Sequence, residues 1–341
     1  MHKLITTLAA ILIAASAFAA SKTYDLRSPD GKLSVSVEAG EGITYSLTHD
    51  GDLLLDKTVI SMATAGGEVF GGIQPVRKVT RRSVSQTIPT VLYKKAEVKD
   101  EFNEMTLKFK RFSLVFRAYD DGIAYRFVTE LKGDIKINHE DITVFFPAET
   151  HLVLQQSDRF RTAYEERYTF TKASDWKNYQ RFAHLPVLAV TPKGTNILMS
   201  ESDLTDYPAP FFRGNEANGM TAVFPAVPAV EVPRHAYAND ILLRENYIAK
   251  TAGTRSFPWR YFVITDAAGL VENTMTCRLA QDSRIEDPSW IVPGQSAWEW
   301  WNGACPYGPD VDFECGLNLE TYKYYIDFAA NYGLKYIVMD E

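Results

Sequence analysis

From Tyr24 to about Arg260, apolar residues recur at every second position, and this alternation excludes most helical folds. A period of two places successive side chains on opposite faces of a strand. Leu33, Val35 and Val37 alternate with serines; Ile43, Tyr45 and Leu47 follow, then Met105, Leu107 and Phe109, and Phe112, Leu114 and Phe116. Turn signals punctuate these runs. Ser28-Pro29-Asp30-Gly31 precedes the first, and His49-Asp50-Gly51 closes the second, where Asp-Gly favours a tight hairpin. Many short strands so punctuated predict a large antiparallel sandwich. No helix-period segment of useful length precedes residue 266, and the chain carries neither a fixed-period repeat nor a low-complexity linker.

The period changes at Asp266. Leu270, Val271, Thr274, Met275 and Leu279 share one helical face, with Asp266 suited to the N-cap. Ser283 to Pro293, with two prolines and acidic residues, reads as a domain boundary. Pro293-Gly294 then signals a turn, and Ser296 to Trp301 a strand with Trp298 and Trp300 on one side and Glu299 and Trp301 on the other. Asn318 caps a helix whose buried stripe is Leu319, Tyr322, Ile326, Ala329 and Ala330, and Gly333 ends it. Tyr336 to Met339 is the continuous apolar run of a strand buried on both faces. Strand, helix, strand opens a parallel α/β unit. In a parallel barrel the C-terminal strand ends carry the chemistry, which puts Asp340 and Glu341 at the working face.

A length of 341 residues favours two domains. Lys3, the apolar run Leu4 to Ala15 and Ala17-Phe18-Ala19 fit an export signal with its cleavage site, so the mature protein is expected in the periplasm or outside the cell. No later stretch is apolar for long enough to span a membrane. The net charge of −7 disfavours nucleic acid or an anionic membrane as partner. Of the three cysteines, Cys277, Cys305 and Cys315, at least one lacks a partner within the chain. Cys305 and Cys315 share a loop and form either a local disulfide or free thiols.

Several constellations carry polar chemistry. In the hairpin Arg117 to Phe127, Asp121-Gly122 supplies the turn, Ile123, Tyr125 and Phe127 face inward, and the arginines are expected to pair with Asp120 or Asp121. Glu165 and Glu166 lie among Tyr164, Arg167 and Tyr168; an inward carboxylate there needs a cation, either Arg167 or a metal. Glu201, Asp203 and Asp206 follow the apolar strand Ile197 to Met199 and form either a polar Asx-type turn or a metal or sugar site. Asp310 to Glu314 only superficially resembles a calcium loop, since Cys315 replaces the required glycine and Thr321 the closing glutamate. The six histidines make no metal-spaced pair, and no G-x-S-x-G, P-loop or dinucleotide fingerprint occurs.

With these residues in hand, the chain resembles glycoside hydrolase family 97, the exported α-glucosidases and α-galactosidases. The matching pieces are Ser28 to Gly31, Arg117 to Phe127, Tyr164-Glu165 with Tyr168-Thr169, Glu201 with Asp206-Tyr207-Pro208, Pro258-Trp259-Arg260, Ser289 to Asn302 and Tyr325 to Glu341. The resemblance implies a mainly β fold: a signal peptide over 1–20, a large β-super-sandwich over 21–285, and over 286–341 the beginning of a catalytic (β/α)8 barrel, truncated after its second strand. It implies a calcium ion held among glutamates, with Glu165 as one ligand. The general acid and the base or nucleophile would lie on later barrel strands, so no catalytic residue is assigned in this chain. Glu299, Trp300, Glu341 and Glu201 are the implied substrate contacts, and a terminal α-linked sugar of an oligosaccharide is the implied substrate. Ala297 to Asn302 and Asp340-Glu341 lie closer to the retaining, α-galactosidase-like members. The rival reading is a non-catalytic carbohydrate-binding or structural β-sandwich. Nothing in the sequence bears on oligomeric state.

Overall fold

The structure, a computed structural model, describes residues 21–235 and 238–340, so the expected export signal over 1–20 and the expected site residue Glu341 lie outside the described residues. The chain divides into two compact units, one comprising the described residues up to Pro89 and Glu97–Gln281, the other Thr90–Ala96 and residues from Asp282 onward. Among the described residues no helix is long and apolar enough to cross a membrane.

The first unit is mainly β, as expected, but it is not a sandwich. Eighteen of its strands join in one hydrogen-bonded sheet. Its hub is the long strand Gly122–Phe145, which pairs with Phe112–Tyr119, Trp259–Thr265, Ala249–Ser256, Asp52–Thr64 and Gly219–Val223 along different parts of its length. Two routes leave the hub and meet again. Trp259–Thr265 leads through Asn196–Ser202 and Val187–Val190 to His151–Ser157. From there Phe182–His184, Phe211–Gly214 and Gly219–Val223 lead back to the hub. Eight strands thus close into a barrel, and the remaining strands of the sheet extend from it. A long strand can serve two sets of neighbours, so the ring closes where two separate sheets were expected.

The alternation read from the sequence is kept. Leu33, Val35 and Val37, Ile43, Tyr45 and Leu47, and Ile123, Tyr125 and Phe127 all lie in the main core. A second apolar cluster covers the other face of part of the sheet. Val115, Tyr119, Ala124, Trp259, Tyr261 and Val263 meet Met275 and Leu279 there. The expected helix over 266–279 is two short ones, Ala267–Glu272 and Met275–Leu279. Asp266 caps the first, accepting from the Gly269 N–H at 2.8 Å, and Asn273 takes extended backbone between them and accepts from the Met275 N–H at 2.9 Å.

The second unit overturns the expectation of a begun (β/α)8 barrel. Two three-residue strands, Ser296–Trp298 and Tyr336–Val338, pair in parallel, and between them lie the 3-10 turn Glu299–Asn302 and the helix Leu319–Asn331. The strand expected to reach Trp301 ends at Trp298. Asn318 caps the helix as expected, accepting from the Thr321 N–H at 3.0 Å, and Gly333 follows it at φ +69°. The expected buried stripe is only partly covered: Leu319, Ile326 and Ala330 are exposed, Tyr322 is half-buried, and Ala329 alone of the five is buried. Tyr336, Val338 and Met339 are exposed too and only Ile337 is half-buried, so the strand is not covered on both faces as expected. Helical periodicity identifies the faces of an element, but what covers them comes from the rest of the molecule.

Candidate functional site

The first unit buries a charged triad in its core. Arg260 lies in the run Trp259–Thr265, whose first six residues are all buried. It donates to both carboxylate oxygens of Glu140, Nε at 3.2 Å and Nη2 at 3.0 Å, and through Nη1 to Glu201. Register sets part of this, since Glu201 lies directly opposite Arg260 on the neighbouring strand. Burial raises the Glu201 carboxyl above the usual carboxylate range, Arg260 opposing that shift. The guanidinium is itself held protonated against its burial by Glu140 and Glu201. A fork of this kind satisfies an otherwise costly buried charge.

Beside the triad opens a cavity of about 710 Å³, lined by aromatic, apolar and charged side chains including Phe160, Tyr164, Tyr207, Asp206, Arg161 and Arg244. Tyr207 reaches both regions: it lines the cavity, and its ring lies under the Arg260 guanidinium at 5.9 Å. Two lining residues hold left-handed backbone, Tyr164 at φ +60° and Asp206 at φ +55°. Such backbone persists in non-glycine residues only where surroundings hold it, and it clusters at functional sites. Tyr164 is held by its hydroxyl, which donates to the Phe160 carbonyl at 2.9 Å, and by edge-on packing against His184. Asp206 accepts from the Thr251 hydroxyl at 2.9 Å.

Glu165 follows Tyr164 in an exposed loop ahead of the strand Tyr168–Lys172, so the inward-facing strand position expected for it does not arise. Glu166 pairs with Arg181 at 3.0 Å, not with Arg167. Among the described residues, Glu165 has no hydrogen-bond or ion-pair partner, and no three His, Cys, Asp or Glu come together as a metal cage. A hard cation takes six to eight oxygens, and one carboxylate offers at most two.

The hairpin arginines find other partners than those expected. Arg117 pairs with Glu104 at 2.9 Å, Arg126 lies 3.8 Å from Asp203, and both guanidiniums stack on Trp259, at 4.7 and 4.2 Å. Asp121 instead binds Arg278. Asp203 also accepts from the Gln281 N–H at 2.8 Å, so the polar loop after Glu201 ties the strands to the helical segment.

In the second unit Glu299 is buried although its neighbours Trp298 and Trp300 are exposed. Its Oε1 accepts from the Asp340 N–H at 2.8 Å and the Tyr322 hydroxyl at 3.2 Å, whereas Oε2 has no hydrogen-bond partner among the described residues. The indoles of Trp298 and Trp300 stack with centroids 5.9 Å apart, and Trp298 Nε1 donates to Asp340 at 3.2 Å. Glu299, Trp300 and Asp340 are thus brought together, in a unit separate from Glu201 and Glu165.

A family profile described as Glycosyl-hydrolase 97 N-terminal matches residues 26–281. The chain belongs to glycoside hydrolase family 97. Within it, the chain is 35% identical over 355 residues to a retaining alpha-galactosidase of Bacteroides thetaiotaomicron, covering 100% of this chain and 53% of that relative. It is 26% identical over 317 residues to a probable retaining alpha-galactosidase of Streptomyces bingchenggensis, covering 92% of this chain and 44% of that one. The chain spans about half the length of the curated relatives it matches. A family 97 enzyme from Pseudoalteromonas sp. strain K8, solved with acarbose, superposes with a TM-score of 0.76 over 92% of this chain and 46% of its own, at 20% identity, a likeness of fold.

Sequence reasoning missed Glu140 altogether and gave Arg260 no role. Half of the signal was present: an arginine inside an apolar run needs a buried carboxylate, but Glu140 stands beside Asn138, His139 and Asp141, and nothing local marks it as the partner.

Proposed function

We propose that this family 97 chain is the N-terminal portion of an exported retaining α-galactosidase that removes terminal α-linked galactose from oligosaccharides. The 35% identity to a retaining alpha-galactosidase along the entire chain carries this reading. A retaining glycosidase needs two carboxyl groups about 5–5.5 Å apart, one as acid and then base, the other as nucleophile. We assign neither role in this chain and place both in the polypeptide by which the relatives exceed it.

The residues present have supporting parts. Glu299 is buried and fixed through one oxygen, so we read it as positioning Asp340 and Tyr322, while the exposed indole of Trp300 suits the apolar face of a pyranose. Glu201 is engaged by Arg260 and nearly buried, so we read it as holding the barrel wall and not as a sugar contact. Calcium would require carboxylates beyond those described, with Glu165, exposed and without a partner among the described residues, contributing one ligand. Calcium titration of the full-length protein tests this. Glu165→Gln should weaken calcium binding severalfold and give activity that recovers as calcium is raised; an unchanged binding midpoint would remove Glu165 from the ligand set.

A further inference from the structure

We infer that Cys305 and Cys315 form a disulfide that staples the loop between the 3-10 turn Glu299–Asn302 and the helix Leu319–Asn331. No disulfide joins them in the structure, and Cys315 is held against Pro306, the residue that follows Cys305. Both ends of the loop are anchored, so this proximity is built in. Ala304, immediately before Cys305, is buried and donates its N–H to the Glu299 carbonyl at 2.9 Å. Cys315 directs its sulfur at the Pro306 carbonyl, 3.6 Å away. The following Gly316 N–H donates to the Thr321 hydroxyl at 3.1 Å, and Asn318 Nδ2 to the Glu314 carbonyl at 2.8 Å, which fix this end to the first turn of the helix. Between the anchors the loop has no regular secondary structure to hold it. Cross-linking such a segment removes conformations from the unfolded chain. Cys277 lies in the first unit and takes no part.

The oxidant is a disulfide, either of a thiol–disulfide oxidoreductase or of a small thiol. One cysteine loses its proton and attacks that disulfide to give a mixed disulfide. The second thiolate then displaces the oxidant's sulfur, so the two electrons leave on the reduced dithiol and the two protons are taken up by it and solvent. The inference rests on the thiols alone and stands or falls independently of the glycosidase reading.

Peptide mapping of the whole chain, equilibrated with glutathione disulfide and alkylated without reduction, tests it. Trypsin does not cut between the two cysteines, but cleavage before Asp310 and Asp312 separates Asp287–Pro309 from Asp312–Ile326. These peptides should run as one species, lighter than their sum by two hydrogens and parted by reductant, with Cys277 alkylated. Cys305→Ser and Cys315→Ser should each leave two alkylated thiols and an unchanged far-ultraviolet circular dichroism spectrum. Separate, alkylated Cys305 and Cys315 peptides from the oxidised protein would overturn the inference, as would a cross-link that includes Cys277.

Discussion

Arg260 bridges two carboxylates that would otherwise be buried without a partner, and this sets the cost of losing it. Arg260→Met keeps much of the volume but strands Glu140 and Glu201, so unfolding free energy should fall by about 3–5 kcal/mol. Urea denaturation reads this directly; a loss under about 1 kcal/mol would mean the triad is not a buried ion-pair network. His139 and Asp141 make a more exposed pair on the same long strand, steadied by the Ser61 hydroxyl, which donates to Asp141 at 2.6 Å. The hydrogen bond to Asp141 raises the His139 pKa, and the same bond lowers that of Asp141. A histidine raised on folding contributes stability below its unfolded pKa and loses it as pH rises through the folded value; the lowered aspartate loses its contribution as pH falls. The pair therefore stabilises most between about pH 4 and 6.5. With more than half of the His139 side chain exposed, solvent screening holds the effect under about 1 kcal/mol. His139→Gln should flatten the decline in stability above about pH 6.5, seen in melting temperature against pH. An identical decline in the variant would place its origin elsewhere.

At the scale of elements, strands were legible wherever one face is covered, because alternation then survives in the sequence. Leu33 to Val37 and Ile43 to Leu47 show it plainly. Phe112–Tyr119 is covered on both faces, and the pairing expected for Arg117 with the turn aspartates fails because the second cluster behind it comes from distant chain. The stripe from Leu319 to Ala330 has helical spacing and a real cap, yet lies largely exposed, since spacing says nothing of what packs against it. The seam of the barrel depends on a glycine. A Cβ at Gly219, where Gly219–Val223 meets the hub, would lie 2.0 Å from the Val144 carbonyl oxygen. The Val144 backbone cannot yield without opening the seam, so Gly219→Ala should cost about 1–3 kcal/mol or more. Gly42→Ala, whose Cβ would meet Gly71 O at an ordinary 3.7 Å, should change stability by less than about 1 kcal/mol in the same denaturation series. Equal effects at the two positions would mean the closure carries no packing constraint.

For the whole molecule, a mainly β class was legible, and the closed barrel was not. Closure depends on which strand of a many-stranded sheet finds which, and alternation is the same in a sandwich and a barrel. One strand of 24 residues decides it by pairing at both ends with strands that share no other link in sequence. Family membership came from scattered short pieces in order, whereas the site came from contacts between them: Glu140 with Arg260, and Glu299 with Asp340 and Tyr322. The central claim is that these units serve a retaining α-galactosidase, and the anomer first released by the full-length protein tests it most directly. Proton magnetic resonance of p-nitrophenyl α-galactoside turnover should show α-galactose appearing first and β-galactose only as mutarotation proceeds, with the α-glucoside turned over far more slowly. β-Galactose as the first product, or turnover of the glucoside alone, would contradict the account.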